Sequence, residues 1–287
     1  MGNIGAFMGK FLCTTAQCCG QVLHSLWMTA VTPNARSAQR WQTRRVERLY
    51  PLPAGTIDAA QAAGSTRASH AERPWVMLNM VASIDGAAAI DGLSGGLSSE
   101  PDKAMFGALR AQADIILVGA GTANAERYRP ARRSGTRIAV VSGSLSVDPE
   151  LPLFSPPPDP TATPLPLVVT TAEADPAAAA RLAGRAELVR TGSDSVDLAE
   201  SLRHLGSLGA RVVLCEGGPS LNASLLAADL VDEVNLTHAP MAVGADAPRI
   251  TAGPGGSVPS AAPRAYSLAQ VVTHDGVLFV RWTRSRH

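Results

Sequence analysis

The stretch VVLCEGGPSLNASLL, residues 212–226, joins an apolar run to a helix start through one carboxylate and two glycines. The apolar run predicts a buried strand, and the Ser- and Asn-containing residues after the glycines predict the beginning of a helix. Glycines let backbone N–H groups approach an anion, and the N-terminus of a helix adds a positive dipole. In open α/β sheets, ligands bind beyond the carboxyl ends of the strands. The stretch therefore predicts a binding crevice with Glu216 at its mouth.

A second stretch, GAGTAN at residues 119–124, repeats this arrangement after the apolar run DIILV. Its glycines, Gly119 and Gly121, match only part of the dinucleotide fingerprint, and no Asp or Glu ends a second strand about 20 residues later. Taken alone, the stretch is explained equally well by a tight turn without a ligand. Two glycine turns at strand ends favour one shared crevice over two unrelated turns.

The order of apolar and helical segments indicates the fold class. Between residues 74 and 232, strand-like runs alternate with helical stretches, which predicts parallel βαβ units with helices on both faces. Residues 233–244 and 267–284 contain no helical pattern, and His274-Asp275-Gly276 is typical of a hairpin turn. We therefore predict a three-layer α/β fold, with a mainly parallel sheet and antiparallel strands at its C-terminal end.

The domain boundary is placed before the first strong apolar run. Residues 74–287 are predicted to form the folded domain, and residues 1–73 an N-terminal extension that is poorly ordered in part. Residues 51–73, rich in Ala, Gly, Ser and Thr, are interpreted as a loop or linker. Met28 is an alternative start. The first 46 residues contain no Asp or Glu, which leaves a secretory or transit segment open, although an upstream extension fits better.

The composition argues against several classes of function. Lys and Arg number 25 against 24 Asp and Glu, so a dedicated binder of nucleic acid or membrane surfaces is not expected. No apolar run reaches the roughly 18–20 residues that cross a bilayer. The 4 cysteines lack zinc-site spacing, so we expect no metal site and a reducing, cytoplasmic compartment. The sequence contains no P-loop or zinc-deaminase signature.

Three stretches together resemble a known family. They are LNMVASIDGAAA (78–89), LRAQADIILVGAGT (109–122) and LCEGGPSLNASLLAADLVDEVNLTHAPMAVG (214–244). In this order they resemble the riboflavin-biosynthesis pyrimidine reductase family, the reductase domain of bifunctional deaminase-reductases, which has a dihydrofolate-reductase-like fold. The resemblance covers roughly residues 74–284. It implies NADPH as the cofactor, a small-molecule substrate whose ribosyl group is reduced to a ribityl chain, and a homodimer formed through the late antiparallel strands.

The motifs and the resemblance together assign the candidate site residues. The predicted cofactor contacts are Ser83, Gly119, Gly121, Thr122, Glu126, Gly217, Gly218, Pro219, Ser220 and Leu221. We expect the substrate among Ser94, Arg110, Arg133 and Glu216. Hydride transfer needs the nicotinamide and the acceptor carbon about 3–3.5 Å apart, so placement matters more than side-chain chemistry. Arg110 is explained equally well as a phosphate ligand and as the partner of a nearby acid.

Reduction of an imine also needs a proton, and three carboxylates are candidate catalytic residues. Glu216 either donates the proton after burial raises its pKa, or accepts hydrogen bonds from the substrate, and we favour the second role. Asp102 is the next candidate, although a first-turn carboxylate is also favoured by the helix dipole alone. Asp85 is the third, although Asp at this position is also typical of a turn.

Two departures from the family pattern concern the substrate. Residues 95–99 read GGLSS where the family has a W-I-S-type stretch, and residues 126–133 read ERYRPARR where it has D-D-P-x-L-T-x-R. Arg132 or Arg133 is left as the phosphate ligand. The expected substrate is 5-amino-6-(5-phosphoribosylamino)uracil. The alternatives are a dihydrofolate- or pterin-like acceptor, a non-catalytic NADPH-binding homologue and, less favoured, a hydrolase of nucleotide-like esters.

Overall fold

The computed structural model describes residues 45–133, 135–156, 163–244, 247–251 and 263–285. The strands are β1 Arg45–Tyr50, β2 Gly55–Asp58, β3 Trp75–Ala82, β4 Ile115–Gly119, β5 Arg137–Val141, β6 Leu167–Thr170, β7 Glu187–Arg190, β8 Val212–Cys215, β9 Glu233–His238, β10 Tyr266–His274 and β11 Val277–Arg284. The helices are α1 Ala59–Ala63, α2 Glu100–Arg110, α3 Ala120–Ala125, α4 Pro176–Ala180, α5 Leu198–Ser207 and α6 Pro219–Ala227, with short 3₁₀ turns at Ser94–Gly96 and Pro152–Phe154. No helix in these ranges is long and apolar enough to cross a membrane.

The described strands form one sheet in the order β2-β1-β10-β11-β9-β3-β8-β4-β5-β6-β7. The seven strands from β9 to β7 are parallel, and the other four are antiparallel to their neighbours. Asp275 and Gly276, both at positive φ, connect β10 to β11 at the predicted hairpin. The predicted fold class is confirmed.

Both faces of the central strands are buried, which explains why these strands are continuous apolar runs. On one face, Leu78 and Cys215 pack with residues of α5 and α6. On the other face, Met77 and Leu214 pack with residues of α1 and α2, and β4 packs with residues of α3. Ser99 caps helix α2, because its hydroxyl accepts a hydrogen bond from the Asp102 backbone N–H.

The interpretation of residues 51–73 as a loop or linker is wrong for residues 55–63. These residues form β2 and α1, and β1 joins them to the main sheet by pairing with β10. The folded domain therefore begins before residue 74. Short Ala-rich elements have little periodicity, and their structure depends here on a partner strand more than 200 residues away. Residues 1–44 of the predicted extension, including Met28, lie outside the described residues.

The carboxyl edge of the sheet has a step between β3 and β8. Val212–Cys215 pair with Trp75–Leu78, and β8 ends there. β3 continues beside β9 to Ala82. The step from Leu78 to Ala82 is about 13 Å high at roughly 3.3 Å per residue. Residues 216–218, which follow β8, therefore lie at the foot of this step, beside the end of β3.

Candidate active site

The two glycine turns lie against each other at the foot of this step. β4 and β8 are neighbours, and the Gly119 N–H donates to the Gly217 carbonyl at 2.8 Å. A Cβ on Gly218 would lie 2.5 Å from the Thr122 hydroxyl, and one on Gly217 would lie 3.0 Å from the Met80 sulfur. Gly217 also has a φ of +87°, which favours glycine. The two glycine segments are therefore neighbours, as predicted, and their close packing requires both glycines; that they form one binding crevice stays a prediction.

Helix α6 directs its N-terminus into this crevice. Its N-cap residue, Gly218, supplies no side-chain hydrogen bond. The first N–H groups of a helix have no intrahelical partner, so the backbone at Ser220 and Leu221 retains donors suited to an anion. The Leu221 side chain itself is buried in the core, so this residue contributes its backbone alone. The crevice can hold a pyrophosphate without a charged side chain.

Glu216 lies beside the crevice and is held by two side chains. Arg110 Nε donates to Oε1 at 2.7 Å, and Arg110 Nη2 donates to Oε2 at 2.6 Å. The Tyr128 hydroxyl donates to Oε2 at 2.6 Å. The Glu216 side chain is 2% exposed and that of Arg110 is 29% exposed. One end of the buried ion pair is therefore open to a ligand.

Local structure positions each member of this cluster. Glu216 follows β8, and its N–H donates to the Leu117 carbonyl of β4 at 2.9 Å. Arg110 is the last residue of α2, and its guanidinium lies 4.4 Å from the ring centroid of Phe106, one helical turn earlier. Burial tends to lower the pKa of Arg110, but the hydrogen bond and charge of Glu216 outweigh it and raise that pKa. Burial, together with the Glu216 charge, raises the pKa of Tyr128 well above its usual value.

Asp102 lies higher on the step, in the first turn of α2. Its two oxygens accept hydrogen bonds from the Ser98 hydroxyl at 2.6 Å and the Thr237 hydroxyl of β9 at 2.7 Å. Burial raises the pKa of Asp102 although both hydroxyls act in the opposite direction. Asp102 precedes Arg110 by eight residues, which corresponds to about 12 Å along the helix.

Asp85 and Ser83 form a turn that fixes a neighbouring loop. The Ser83 hydroxyl donates to Asp85, whose carboxylate also accepts from the N–H groups of Val243 and Gly244. The Ser83 hydrogen bond, followed by these backbone donors, lowers the pKa of Asp85 to about 2. In this arrangement Asp85 holds the loop after β9. Its role as a catalytic acid stays a prediction.

Ser94 and Glu126, predicted to contact substrate and cofactor respectively, contact each other. The Glu126 carboxylate accepts from the Ser94 N–H at 2.9 Å and from the Ser94 hydroxyl at 2.8 Å. This exposed pair joins the 3₁₀ turn at Ser94–Gly96 to the end of α3. Asn124, the last residue of the G-x-G-x-x-N pattern, bonds instead to the backbone of Ser146 and Asp148.

The match to a known family covers most of the chain. The sequence pattern of the RibD C-terminal domain matches residues 74–273. The chain belongs to this family. The family suggested by the sequence resemblance is confirmed.

Two curated relatives carry the same name, 2,5-diamino-6-ribosylamino-4(3H)-pyrimidinone 5′-phosphate reductase. The protein of Methanothermobacter thermautotrophicus is 35% identical over 178 residues, which span 60% of this chain and 80% of that protein. The protein of Archaeoglobus fulgidus is 29% identical over 197 residues, which span 63% of this chain and 87% of that protein. These names support the predicted class of activity, a reductase of a pyrimidine-type substrate.

A solved structure supports the fold of this RibD-family domain. It is that of a pyrimidine reductase-like protein from Corynebacterium diphtheriae, with a TM-score of 0.67 and 24% identity, and the match covers 80% of this chain and all of that one. At this identity the similarity establishes the fold alone.

Residues 126–133, which differ from the RibD-family pattern, contain two side chains whose positions bear on the site, Arg133 and Tyr128. Arg133 donates to the Ala113 carbonyl at 2.9 Å, before the start of β4 and therefore at the amino edge of the sheet. Because the glycine turns lie at the carboxyl edge, the prediction that Arg133 contacts substrate is wrong. Tyr128 instead enters the site. The sequence did not indicate Tyr128 as a site residue, because its neighbours in ERYRP are mostly charged and suggest an exposed loop. A single aromatic residue among charged ones could have indicated burial at this position.

Sequence reasoning also missed Asn222, which is fully buried in α6. Its Nδ2 donates to the Ile250 carbonyl at 2.7 Å, and its Oδ1 accepts from the Cys215 thiol at 3.4 Å. Asn222 thus anchors residues 247–251 beside the crevice. The sequence showed only a polar residue near a helix start, which is also typical of capping.

Proposed function

We propose that this protein is an NADPH-dependent reductase that transfers a hydride to the ribosyl carbon of a ribosylaminopyrimidine 5′-phosphate. The observation that carries the proposal is the Glu216–Arg110 pair at the foot of the step, directly beside two packed glycine turns. The ion pair suits a polar ring, the glycine turns suit a pyrophosphate, and the two lie next to each other.

The residues of the crevice fit a dinucleotide. The backbone of residues 217–221, residues 119–122 and the Thr122 side chain would hold the pyrophosphate, because the unpaired N–H groups at a helix N-terminus suit an anion. When bound, the reduced cofactor supplies the hydride. NADPH, rather than NADH, is proposed from the family resemblance. Titration with each cofactor, followed by protein fluorescence, would test the preference, and tighter binding of NADH would contradict it.

The charged pair matches the edge of a pyrimidinone ring, where N–H donors and a carbonyl acceptor lie side by side. Glu216 can accept from the N–H group, and the exposed part of Arg110 can donate to the carbonyl. Two substrates fit this description. The expected 5-amino-6-(5-phosphoribosylamino)uracil has a carbonyl at C2, and the 2,5-diamino compound named for both curated relatives has an amino group there.

We assign the proton that accompanies the hydride to Asp102. The ribosylamine first opens to an imine: the bond from C1′ to the ring oxygen breaks, and the proton of the glycosyl N–H passes to that oxygen. A hydride added to the carbon of the resulting C=N bond then requires a proton at the nitrogen. Glu216 already accepts three hydrogen bonds, two of them from the Arg110 guanidinium. Burial raises the pKa of Asp102, and its hydrogen bond to Thr237 places it higher on the step than Glu216.

We further propose a homodimer formed through β9, β10 and β11. Residues directly opposite each other in antiparallel strands share a face. The register pairs Leu268 with Trp282, Trp282 with Val234, and Leu278 with His238. On this face Leu268 and Leu278 are 42% and 39% exposed. A monomer at micromolar concentration in sedimentation would overturn the proposal. Leu278→Glu is expected to dissociate the dimer.

A cytoplasmic location is proposed from the reaction and the cysteine chemistry. NADPH-dependent biosynthesis takes place where the cofactor is kept reduced. The cysteine that the structure describes, Cys215, is a free buried thiol, as is usual in a reducing compartment. Expression of the tagged protein followed by fractionation of the cells would test the location.

One assay tests the proposed function. The loss of NADPH absorbance is followed with the uracil compound, the 2,5-diamino compound and dihydrofolate offered in parallel. Turnover of either ribosylaminopyrimidine confirms the proposal and identifies the substituent at C2 that the site accepts. Turnover of dihydrofolate alone would replace it with a folate-type reductase. Binding of NADPH without any turnover would indicate a non-catalytic homologue.

A further inference from the structure

Tyr128 brings a buried hydroxyl to Glu216 in the candidate site. It lies in the segment ERYRPARR, residues 126–133, where this chain departs from the family pattern. The residue is 9% exposed, and its hydroxyl donates to Glu216 Oε2 at 2.6 Å. The role of this hydroxyl follows from its binding to only one of the two carboxylate oxygens of Glu216.

The two carboxylate oxygens of Glu216 are bound unequally. Each oxygen can accept about two hydrogen bonds. Oε2 accepts from Arg110 Nη2 and from Tyr128, so both of its acceptor positions are filled. Oε1 accepts from Arg110 Nε, and it retains one acceptor position for a ligand. The Tyr128 hydroxyl therefore decides which oxygen is left for a ring N–H.

The Tyr128 ring also contributes to the position of Arg110. The guanidinium lies 5.7 Å from the centroid of Tyr128 and 4.4 Å from that of Phe106. Such cation–π contacts favour one orientation of the guanidinium. The backbone of Tyr128 is itself fixed, because its N–H donates to the Ala123 carbonyl at 3.0 Å and its carbonyl accepts from the Leu153 N–H at 3.0 Å.

We propose that Tyr128 is a positioning residue for substrate recognition: by filling Oε2 of Glu216, it holds Glu216 and Arg110 so that Oε1 receives an N–H group of the pyrimidine ring. This inference rests on the proposed function. It assigns Tyr128 no contact with the cofactor and no proton transfer.

The test compares Tyr128→Phe with Tyr266→Phe. Each change removes one hydroxyl that makes one hydrogen bond, since the Tyr266 hydroxyl donates to the Val231 carbonyl at 3.1 Å, far along the chain from the site. For Tyr128→Phe we expect KM for the ribosylaminopyrimidine to rise about five- to tenfold, with kcat within about twofold of wild type and NADPH affinity unchanged. A merely structural loss would lower the folded fraction and leave KM unchanged, as expected for Tyr266→Phe.

A double variant tests whether Tyr128 acts through Glu216. Added to Glu216→Gln, the change Tyr128→Phe is expected to alter KM by less than about twofold, because the carboxylate that it orients is already gone. The same five- to tenfold increase in both backgrounds would overturn the proposal. An unchanged KM in Tyr128→Phe alone would also overturn it.

A spectroscopic readout separates this inference from the proposed function. The chain has 3 tyrosines, so labelling with ¹³C at Cζ gives a simple spectrum in which Tyr128→Phe identifies the resonance of Tyr128. Glu216→Gln is expected to shift this resonance and leave that of Tyr266 in place. If the wild-type protein reduces no ribosylaminopyrimidine, the proposed function fails, and this spectrum alone decides the Tyr128–Glu216 contact. A resonance that does not move would overturn the positioning role.

Discussion

Two buried glutamates, Glu216 and Glu233, each bind an arginine through two hydrogen bonds, but at opposite edges of the sheet. Glu216 follows β8 at the carboxyl edge, and Glu233 begins β9 at the amino edge. Glu233 is bound by four donors, two on each oxygen: Arg67 Nε and Nη2, the Trp75 indole and the Asn235 amide. Glu216 is bound by three donors, and one of its oxygens retains an acceptor position.

The two ion pairs also differ in the exposure of their side chains. The side chains of Arg67 and Glu233 are 2% and 1% exposed, whereas that of Arg110 is 29% exposed. Burial of an ion pair therefore does not by itself indicate a functional site. The pair at Glu233 joins the segment before β3 to β9, and every hydrogen bond remains within the protein. The pair at Glu216 is incomplete and lies beside the glycine turns, so it can bind a ligand.

The largest effect is expected from Gly218→Val, which tests the crevice rather than either carboxylate. The added Cβ would lie 2.5 Å from the Thr122 hydroxyl, so the turn must move away from the N-terminus of α6. We expect NADPH affinity to fall more than about 100-fold, or about 2.7 kcal/mol. Gly55→Val is the control, because a Cβ there meets nothing within 4 Å. Micromolar NADPH affinity in folded Gly218→Val would contradict the placement of the cofactor.

Glu233→Gln is expected to reduce stability and leave the chemistry intact. Removing one charge of a buried pair typically costs about 3–5 kcal/mol, because the other charge remains without compensation. The free energy of unfolding, measured with urea, should fall by about 3 kcal/mol, while KM of the folded fraction is unchanged. The exposed Glu47→Gln on β1 serves as the control. A raised KM in Glu233→Gln would break the contrast between the two edges.

Glu216→Gln is expected to impair turnover, unlike Glu233→Gln. The neutral amide places an N–H group where the substrate or Arg110 would donate, so kcat/KM should fall about 10- to 100-fold, or about 1.4–2.7 kcal/mol. NADPH affinity should be retained. Unchanged kcat and KM would remove Glu216 from the site.

Asp102→Asn tests whether Asp102 donates the proton that accompanies the hydride. Because burial raises the folded-state pKa of Asp102 above 3.8, the protonated acid and the stability it contributes are present at low pH and are lost as pH rises through the raised value. We expect kcat of the wild type to decline through this range and kcat of Asp102→Asn to be lower, with no such decline. An identical pH profile in both proteins would exclude Asp102 as the donor.

Asp85→Asn is expected to have the smallest effect. The exposed carboxylate accepts from Val243 and Gly244, and its pKa is lowered to about 2. Its contribution to stability is therefore present above the usual pKa of 3.8 and is lost as pH falls through about 2. Melting temperatures measured over this range should converge for the wild type and Asp85→Asn at the lowest pH. A constant difference would contradict the loop-holding role.

The sequence determined the alternating strands and helices, the glycine turns at 119–122 and 217–221, and Glu216 between them. These features are local, because strand periodicity, helix capping and glycine turns each depend on a few neighbouring residues. The family resemblance added Arg110 and the class of activity. Local reasoning assigned residues 55–63 to a loop or linker, and the comparison with the family pattern placed Arg133 in the site.

Only the tertiary structure decided which polar groups meet. Arg110, Tyr128 and Glu216 are separated by 18 and 88 residues along the chain and are brought together by the order of β8 and β4 in the sheet. Likewise, β1 exists as a strand because β10 pairs with it. A hydrogen bond between distant residues leaves no periodic pattern in the sequence. Whether the arginine of a buried ion pair is partly exposed, as Arg110 is beside Glu216, or buried, as Arg67 is beside Glu233, therefore depends on tertiary packing.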